Sequence, residues 1–348
     1  MPQSDNIPND ILIIGAGVLG LCTAVELTRR GRQVRVVDTG GPNASSVAAG
    51  MIAPTLEAVM DRATPERAVL MRDARSIWDG FAKGVGIAIH PARTFWAGRQ
   101  TTAMNKAIEQ LEIQPGSVTD EGRVSVTSDV LIEPGPALEA MRAALARPVM
   151  KAWVGSVART ATGWKVATGQ GEIEARTLVL ATGASKPVTG LPIGVARLIA
   201  QIQPIRGQIG SVPDRTDAVL RGLGIYVAPS GEGALIGATM EPGRRDLEPD
   251  AAAGRQLIEA AEQLLGRPVA GPVEWRVGIR GATPDGLPMA GASGEPGLFL
   301  ALAPRRNGWL LGPLVARVVA DAIEGEIQDG GAGSPHAAAL DPRRFLTR

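Results

Sequence analysis

The chain has 348 residues, enough for about two domains, and its 45% hydrophobic content supports a sizeable core. Its 36 basic and 35 acidic residues nearly cancel, which argues against nucleic acid or an anionic membrane surface as partner. One cysteine, Cys22, excludes an internal disulfide framework and fits a reducing cytoplasm, while two distant histidines, His90 and His336, leave almost no material for a metal site or a histidine-based triad.

The opening decapeptide MPQSDNIPND is polar and turn-like, so no signal peptide is expected. Ile11–Ile14 reads as a strand, and Gly15 opens a turn into a helix running to about Arg30. Val18, Leu21, Ala24, Val25 and Thr28 recur on one face of that helix, and Gly31 suits its C-terminal cap. Gln33–Val37, ending at Asp38, completes a βαβ unit and so predicts a parallel sheet with a right-handed crossover. A small-residue segment, Ala44–Pro54, leads to a charged helix over Pro65–Lys83, then to short strands and a helix up to about Val130. Pro136–Ala146 is helical by pattern, and Trp164–Thr168 with Glu172–Ala175 reads as a hairpin around Gly169-Gln170-Gly171.

Thr177–Ala181 is a buried strand followed by Thr182-Gly183-Ala184. Gln208–Val273 is strand-rich around Ile225–Ala228 and Ala234–Thr239, with a helix near Ala252–Leu265. The charged stretch Glu241–Asp250 reads as a solvated loop. Gly297–Ala303 is a buried strand and Leu310–Ile323 a mostly apolar helix. Between them, Ala303–Trp309 (APRRNGW) puts two guanidiniums where a core is expected, a costly placement unless they are paired. Asp329–Ala339 has linker composition, and Asp341–Phe345 (DPRRF) is a segment that could dock back. Glu26, Arg317 and Asp321 interrupt the apolar runs, so no membrane span is expected.

Gly15-Ala16-Gly17-Val18-Leu19-Gly20 is a GxGxxG between strand and helix, with Asp38 eighteen residues beyond Gly20. Gly15 permits a tight turn, Gly17 lets the backbone approach a pyrophosphate, and Gly20 allows close helix–strand packing. The helix N-terminus favours phosphate, and Asp38 can accept from ribose hydroxyls. NAD and FAD both use this fingerprint, and its single occurrence predicts one dinucleotide. Two features favour FAD. Thr177–Gly183 (TLVLATG) resembles the ATG segment of glutathione-reductase-type flavoproteins, which brings in Thr182 and Gly183. Ala44–Met51 follows the second strand where such proteins wrap the cofactor; its Ser45, Ser46, Ala49, Gly50 and Met51 are small or can bond phosphate or ribose. The alternative for that segment is a helix start capped by Ser45.

These pieces together resemble the D-amino-acid-oxidase-like flavoproteins, nearest the glycine oxidases of thiamine biosynthesis. The resemblance runs through Ile13–Gly20, Ser45–Pro54, Leu178–Ser185, Pro204–Gln208, Tyr226–Pro242, Gly278–Gly291, Arg305–Pro313 and the closing DPRRF. It implies an α/β fold: a glutathione-reductase-type FAD-binding Rossmann domain (residues 1–80, 132–200 and 277–348) and a discontinuous, sheet-rich α+β substrate domain (81–131 and 201–276). It places Tyr226, Arg280 and Arg306 at the active site. Arg306 would clamp the substrate carboxylate, Tyr226 would donate to it, and Arg280 would add positive charge near flavin or substrate. Met240 and Pro304 would wall the pocket. Asn307, Gly308, Trp309 and Leu310 would bring a helix N-terminus to the flavin.

The implied reaction is hydride transfer from a small amino acid to noncovalent FAD, giving imine and then 2-oxo acid, ammonia and hydrogen peroxide, with a place in thiazole synthesis. Homotetramers are common among such relatives. Residue-level alternatives are Tyr226 as a half-buried sheet residue, Arg280 in a structural ion pair, Met240 in ordinary core and Arg305 as a solvent-facing neighbour of Arg306. The chain departs from the family pattern at Gly281, Ser230, Trp309 and Ala303-Pro304-Arg305, where Pro304 takes a position usually written His. Those departures leave open a dehydrogenase with another acceptor, a flavin-binding protein without turnover or, more remotely, an NAD enzyme.

Overall fold

The computed structural model describes residues 10–98, 101–111, 117–118, 122–185, 187–231, 233–328 and 333–346. Strand β1 (Asp10–Ile14), helix α1 (Val18–Arg29) and strand β2 (Gln33–Asp38) form the expected unit, with Ile11 opposite Val34 and Ile14 opposite Val37 in parallel register. Gly31 follows the helix at φ 76°, a left-handed conformation that glycine adopts without a Cβ penalty. Three further helices follow: α2 (Ala44–Val47), α3 (Pro54–Met60) and α4 (Pro65–Val85). Then come β3 (Thr94–Trp96), β4 (Met150–Lys151) and β5 (Thr177–Leu180). A second run comprises β6 (Gln203–Val212), β7 (Val219–Gly222), β8 (Ile225–Ser230), β9 (Gly233–Gly237) and β10 (Glu274–Ala282). The chain returns through β11 (Met289–Ala292) and β12 (Leu298–Leu302) to the long helix α5 (Gly308–Gln328).

Two large sheets divide these strands. The first is six-stranded in the order β11-β12-β5-β1-β2-β4, parallel except for β11 against β12. Its central strands are apolar because both faces are covered. On one face α1, α4 and α5 bury Leu21, Trp78, Phe299 and Val315; on the other, Leu12, Leu178 and Leu300 meet Trp164 and Val166 of the expected hairpin. The second sheet has nine strands, and β10, β6, β9, β8, β7 and β3 are successive neighbours in it. Strand β10 straddles residue 277, where the sequence suggests a domain boundary.

The stretch Glu241–Asp250 is not simply solvated. Arg206 of β6 is fully buried and donates to Glu241 Oε1 at 2.6 Å, to the Asp246 carbonyl at 3.2 Å and to the Glu248 carbonyl, so the loop wraps a guanidinium that needs its carboxylates. DPRRF does dock back: Arg344 bonds Asp285 at 2.9 Å and the Leu287 and Pro288 carbonyls. Residues 329–332 of the linker-like tail lie outside the described residues. No helix among the described residues is long and apolar enough to cross a membrane.

Candidate active site

The glycine fingerprint forms a cradle at the C-terminal edge of the first sheet. A Cβ on Gly15 would lie 2.3 Å from the Ala181 carbonyl oxygen, and one on Gly20 would lie 2.0 Å from that of Gly15, so neither position tolerates a side chain. Gly17 stands at the α1 N-terminus without a side-chain cap; Val18 N–H there finds Ser45 Oγ at 2.9 Å. Asp38 accepts from Ala16 N–H at 2.8 Å and from Gly40 N–H at 2.7 Å, which fixes its carboxylate at the mouth of the cradle. Thr182 and Gly183 leave β5 alongside Gly15. The segment after β2 is capped by Asn43 rather than by Ser45. Asn43 Oδ1 accepts from Ser45 and Ser46 N–H, and Ser46 Oγ accepts from Asn43 N–H, so Ser46 is spent on the cap.

A cavity opens between this cradle and the second sheet. Ala48, Ala49, Gly50, Met51, Asn307 and Trp309 line one side, and Arg221, Tyr226, Met240, Arg280 and Arg306 line the other. Tyr226 and Arg221 are cross-strand neighbours on β8 and β7, hence on one face of the sheet. Two glycines shape that face: a Cβ on Gly237 would sit 2.6 Å from the Tyr226 hydroxyl, and one on Gly207 would sit 2.4 Å from the Arg280 guanidinium. Met240 lines the cavity, with its sulfur 3.0 Å from Arg280 Nη1. Trp309 is buried, donates its indole N–H to the Ser45 carbonyl at 3.1 Å and leans on Trp78. Leu310 and Gly308 lie outside the lining, with Leu310 accepting from Trp78. Pro304 is also absent from the lining; its backbone bridges Ala282 and its ring packs beside Gly308.

The arginines are not equivalent. Arg306 is paired with Glu57 through Nε and with Asp61 through Nη2 at 2.8 Å. Arg305 does not face free solvent, contrary to expectation: its Nη1 meets the same Asp61 at 2.7 Å, and its side chain is 30% exposed. Glu57 also takes Arg221 Nη2 at 2.5 Å. Burial alone would raise the Glu57 carboxyl, but the Arg221 and Arg306 guanidiniums outweigh it and hold it at about 2. Arg280 donates to the Thr239 carbonyl and has no carboxylate partner among the described residues; burial and the neighbouring arginines lower its pKa. Burial raises that of the Tyr226 hydroxyl.

A family model described as FAD dependent oxidoreductase matches residues 10–322. The chain belongs to that family. The cradle fits FAD: a helix N-terminus for phosphate that Gly17 leaves without a side-chain cap of its own, a carboxylate held beside it for ribose, and a strand-to-helix turn too tight for a Cβ at Gly15 or Gly20. The oxidoreductase is 28% identical to the glycine oxidase of Geobacillus kaustophilus, covering 90% of this chain and 93% of that one. It is 29% identical to the tRNA 5-methylaminomethyl-2-thiouridine biosynthesis bifunctional protein MnmC of a Caulobacter species, covering 98% of this chain but 58% of that one. The crystal structure of glycine oxidase from Geobacillus kaustophilus superposes with a TM-score of 0.78 at 22% identity, covering 95% of this chain and 98% of the other.

Four charged residues of this oxidoreductase's site lie outside the sequence reading: Glu57, Asp61, Arg221 and Asp129. Glu57 and Asp61 carried one usable signal, since they sit a helical turn apart, Glu57 within the mostly apolar run Ala53–Met60 and Asp61 directly after it. Arg221 in the strand Val219–Gly222 had none.

Proposed function

We propose that this oxidoreductase oxidises a small amino acid at its Cα–N bond, with Arg280 and Tyr226 holding the substrate carboxylate. The observation that carries this reading is charge. Among the cavity guanidiniums, Arg280 has no carboxylate partner among the described residues, whereas Arg306 and Arg221 are engaged by Glu57. A half-buried planar guanidinium lacking a counterion suits a carboxylate, and the Tyr226 hydroxyl on the same face adds a donor. The clamp expected at Arg306 is thereby assigned to Arg280, and Arg306 becomes a structural and electrostatic neighbour.

No histidine lines the cavity among the described residues. An amine bound in its neutral form needs no enzyme base, so orientation and electrostatics carry the rate. FAD would supply the two-electron acceptor for the hydride leaving the substrate Cα, with oxygen as the terminal oxidant reduced to hydrogen peroxide. The substrate imine then takes up water to give a 2-oxo acid and ammonia. The N-terminus of α5, at Asn307 in the cavity wall, offers partial positive charge to developing negative charge. The glycine oxidase relative supports glycine or a similarly small amine.

Anaerobic mixing of the yellow holoenzyme with glycine, sarcosine or D-alanine tests the proposal. Bleaching followed by peroxide on admitting air is expected. Bleaching with slow reoxidation would replace oxygen by another acceptor, and absence of bleaching by every amine would overturn the reading.

A further inference from the structure

The charged groups around the cavity form one connected array. Glu57 lies between Arg221 and Arg306, and Asp61 lies between Arg306 and Arg305. Asp129 is buried within reach of the Arg221 charge and Thr94. Arg280 stands apart without a carboxylate among the described residues. Four guanidiniums against three carboxylates leave one positive charge when all are ionised. The exposed Arg276 adds only a solvent-screened contribution from the rim. In a site this enclosed an unmatched charge is costly, so the array dictates how many anionic groups a ligand may bring.

We propose that Glu57 is a specificity-determining residue that matches the site to a single substrate carboxylate and excludes dicarboxylic amino acids. This rests on the amino-acid reading above. Glu57 works by occupation. One of its oxygens pairs with Arg221 Nη2 and the other with Arg306 Nε, so both of these cavity-lining guanidiniums already have a carboxylate partner where a second substrate carboxylate would otherwise serve. Removing its charge leaves both arginines short of a partner and raises the local excess from one positive charge to two.

The matched pair sarcosine and iminodiacetate differs only by a carboxylate on the N-methyl carbon. Anaerobic flavin reduction by the wild-type holoenzyme is expected to favour sarcosine by at least about tenfold in kcat/KM, and Glu57→Gln to shrink that preference by about tenfold or more. Asp129→Asn, which adds one net positive charge without touching the cavity lining, should shift the preference the same way by less and serves if Glu57→Gln does not retain FAD. A preference unchanged within about twofold in the variant that retains FAD, or a wild type that already prefers iminodiacetate, would overturn the proposal.

Failure of the oxidase reading is distinguishable. If no amine reduces the flavin, propionate and succinate titrated against the flavin absorbance still compare one carboxylate with two. A succinate-to-propionate Kd ratio that falls about tenfold in Glu57→Gln supports charge matching, and an unchanged ratio overturns it.

Discussion

At the scale of single residues, neighbouring arginines do different work because of their counterions. Arg280→Met removes the guanidinium proposed to hold the substrate, so KM for a carboxylate substrate should rise about a hundredfold while FAD content stays, consistent with two charge-assisted bonds. Arg306→Met takes one of two guanidinium partners from each of Asp61 and Glu57, leaving them Arg305 and Arg221; the expected effect is a loss of roughly 2 kcal/mol in urea-unfolding stability, with a smaller change in KM. An unaltered KM in Arg280→Met would move the clamp elsewhere. The turn that presents Arg306 is itself strained. Ala303 at φ 59° and Arg305 at φ 51° both occupy the left-handed region without being glycine, at a cost of about 1–2 kcal/mol each. The Arg305 N–H bond to the Gly281 carbonyl at 2.8 Å and its pairing with Asp61 hold the turn in place.

At the scale of elements, two short pieces carry more than their length suggests. Helix α3 spans seven residues, yet it presents Glu57, and Asp61 just past its end, on one side toward the α5 entrance. The loop after β9 exists around Arg206, whose side chain is fully buried. Arg206→Met should cost roughly 3 kcal/mol or more because Glu241 and Asp246 lose their buried partner; a urea midpoint equal to wild type would show that the loop is held by its backbone alone.

What was legible in the sequence follows the same division. The βαβ unit, the hairpin at Trp164–Ala175 and the Ala251–Leu265 helix were readable because local periodicity and turn glycines set them. Glu57 was not, because a glutamate in a short helix ordinarily faces water. Its burial depends on Arg221 and Arg306, 164 and 249 residues away in the chain. The Glu241–Asp250 charges misled for a similar reason: their partner, Arg206, lies in a strand 35 residues before Glu241.

For the molecule as a whole, the buried carboxylates set opposing pH responses. Glu57 is held at about 2, below its unfolded value, so its contribution is present above about pH 4.5 and is lost as pH falls toward 2. Burial raises Asp129 to about 6, against which the Arg221 charge works only in part. Its protonated form is favoured in the folded state, so its contribution is fully present below about pH 4 and is lost as pH rises through 6. The pair together favours mildly acidic conditions. Unfolding free energies across pH 3 to 7 should show Asp129→Asn flattening the fall between about pH 4 and 6, while Glu57→Gln flattens the acid limb. Coincident curves for a variant and wild type would remove that residue from the account.

The central position of β1 carries a consequence for the order of synthesis. One edge of β1 is satisfied by β2 some twenty residues later, but the other waits for β5, with Ile11 opposite Thr177. A chain emerging from the ribosome N-terminus first therefore holds an open strand edge, apolar on both faces, while the roughly 160 residues between β1 and β5 are made. The cradle closes later still, when Trp309 reaches back to Ser45. The glycine turn of the nucleotide pocket is thus made long before the residue that closes it.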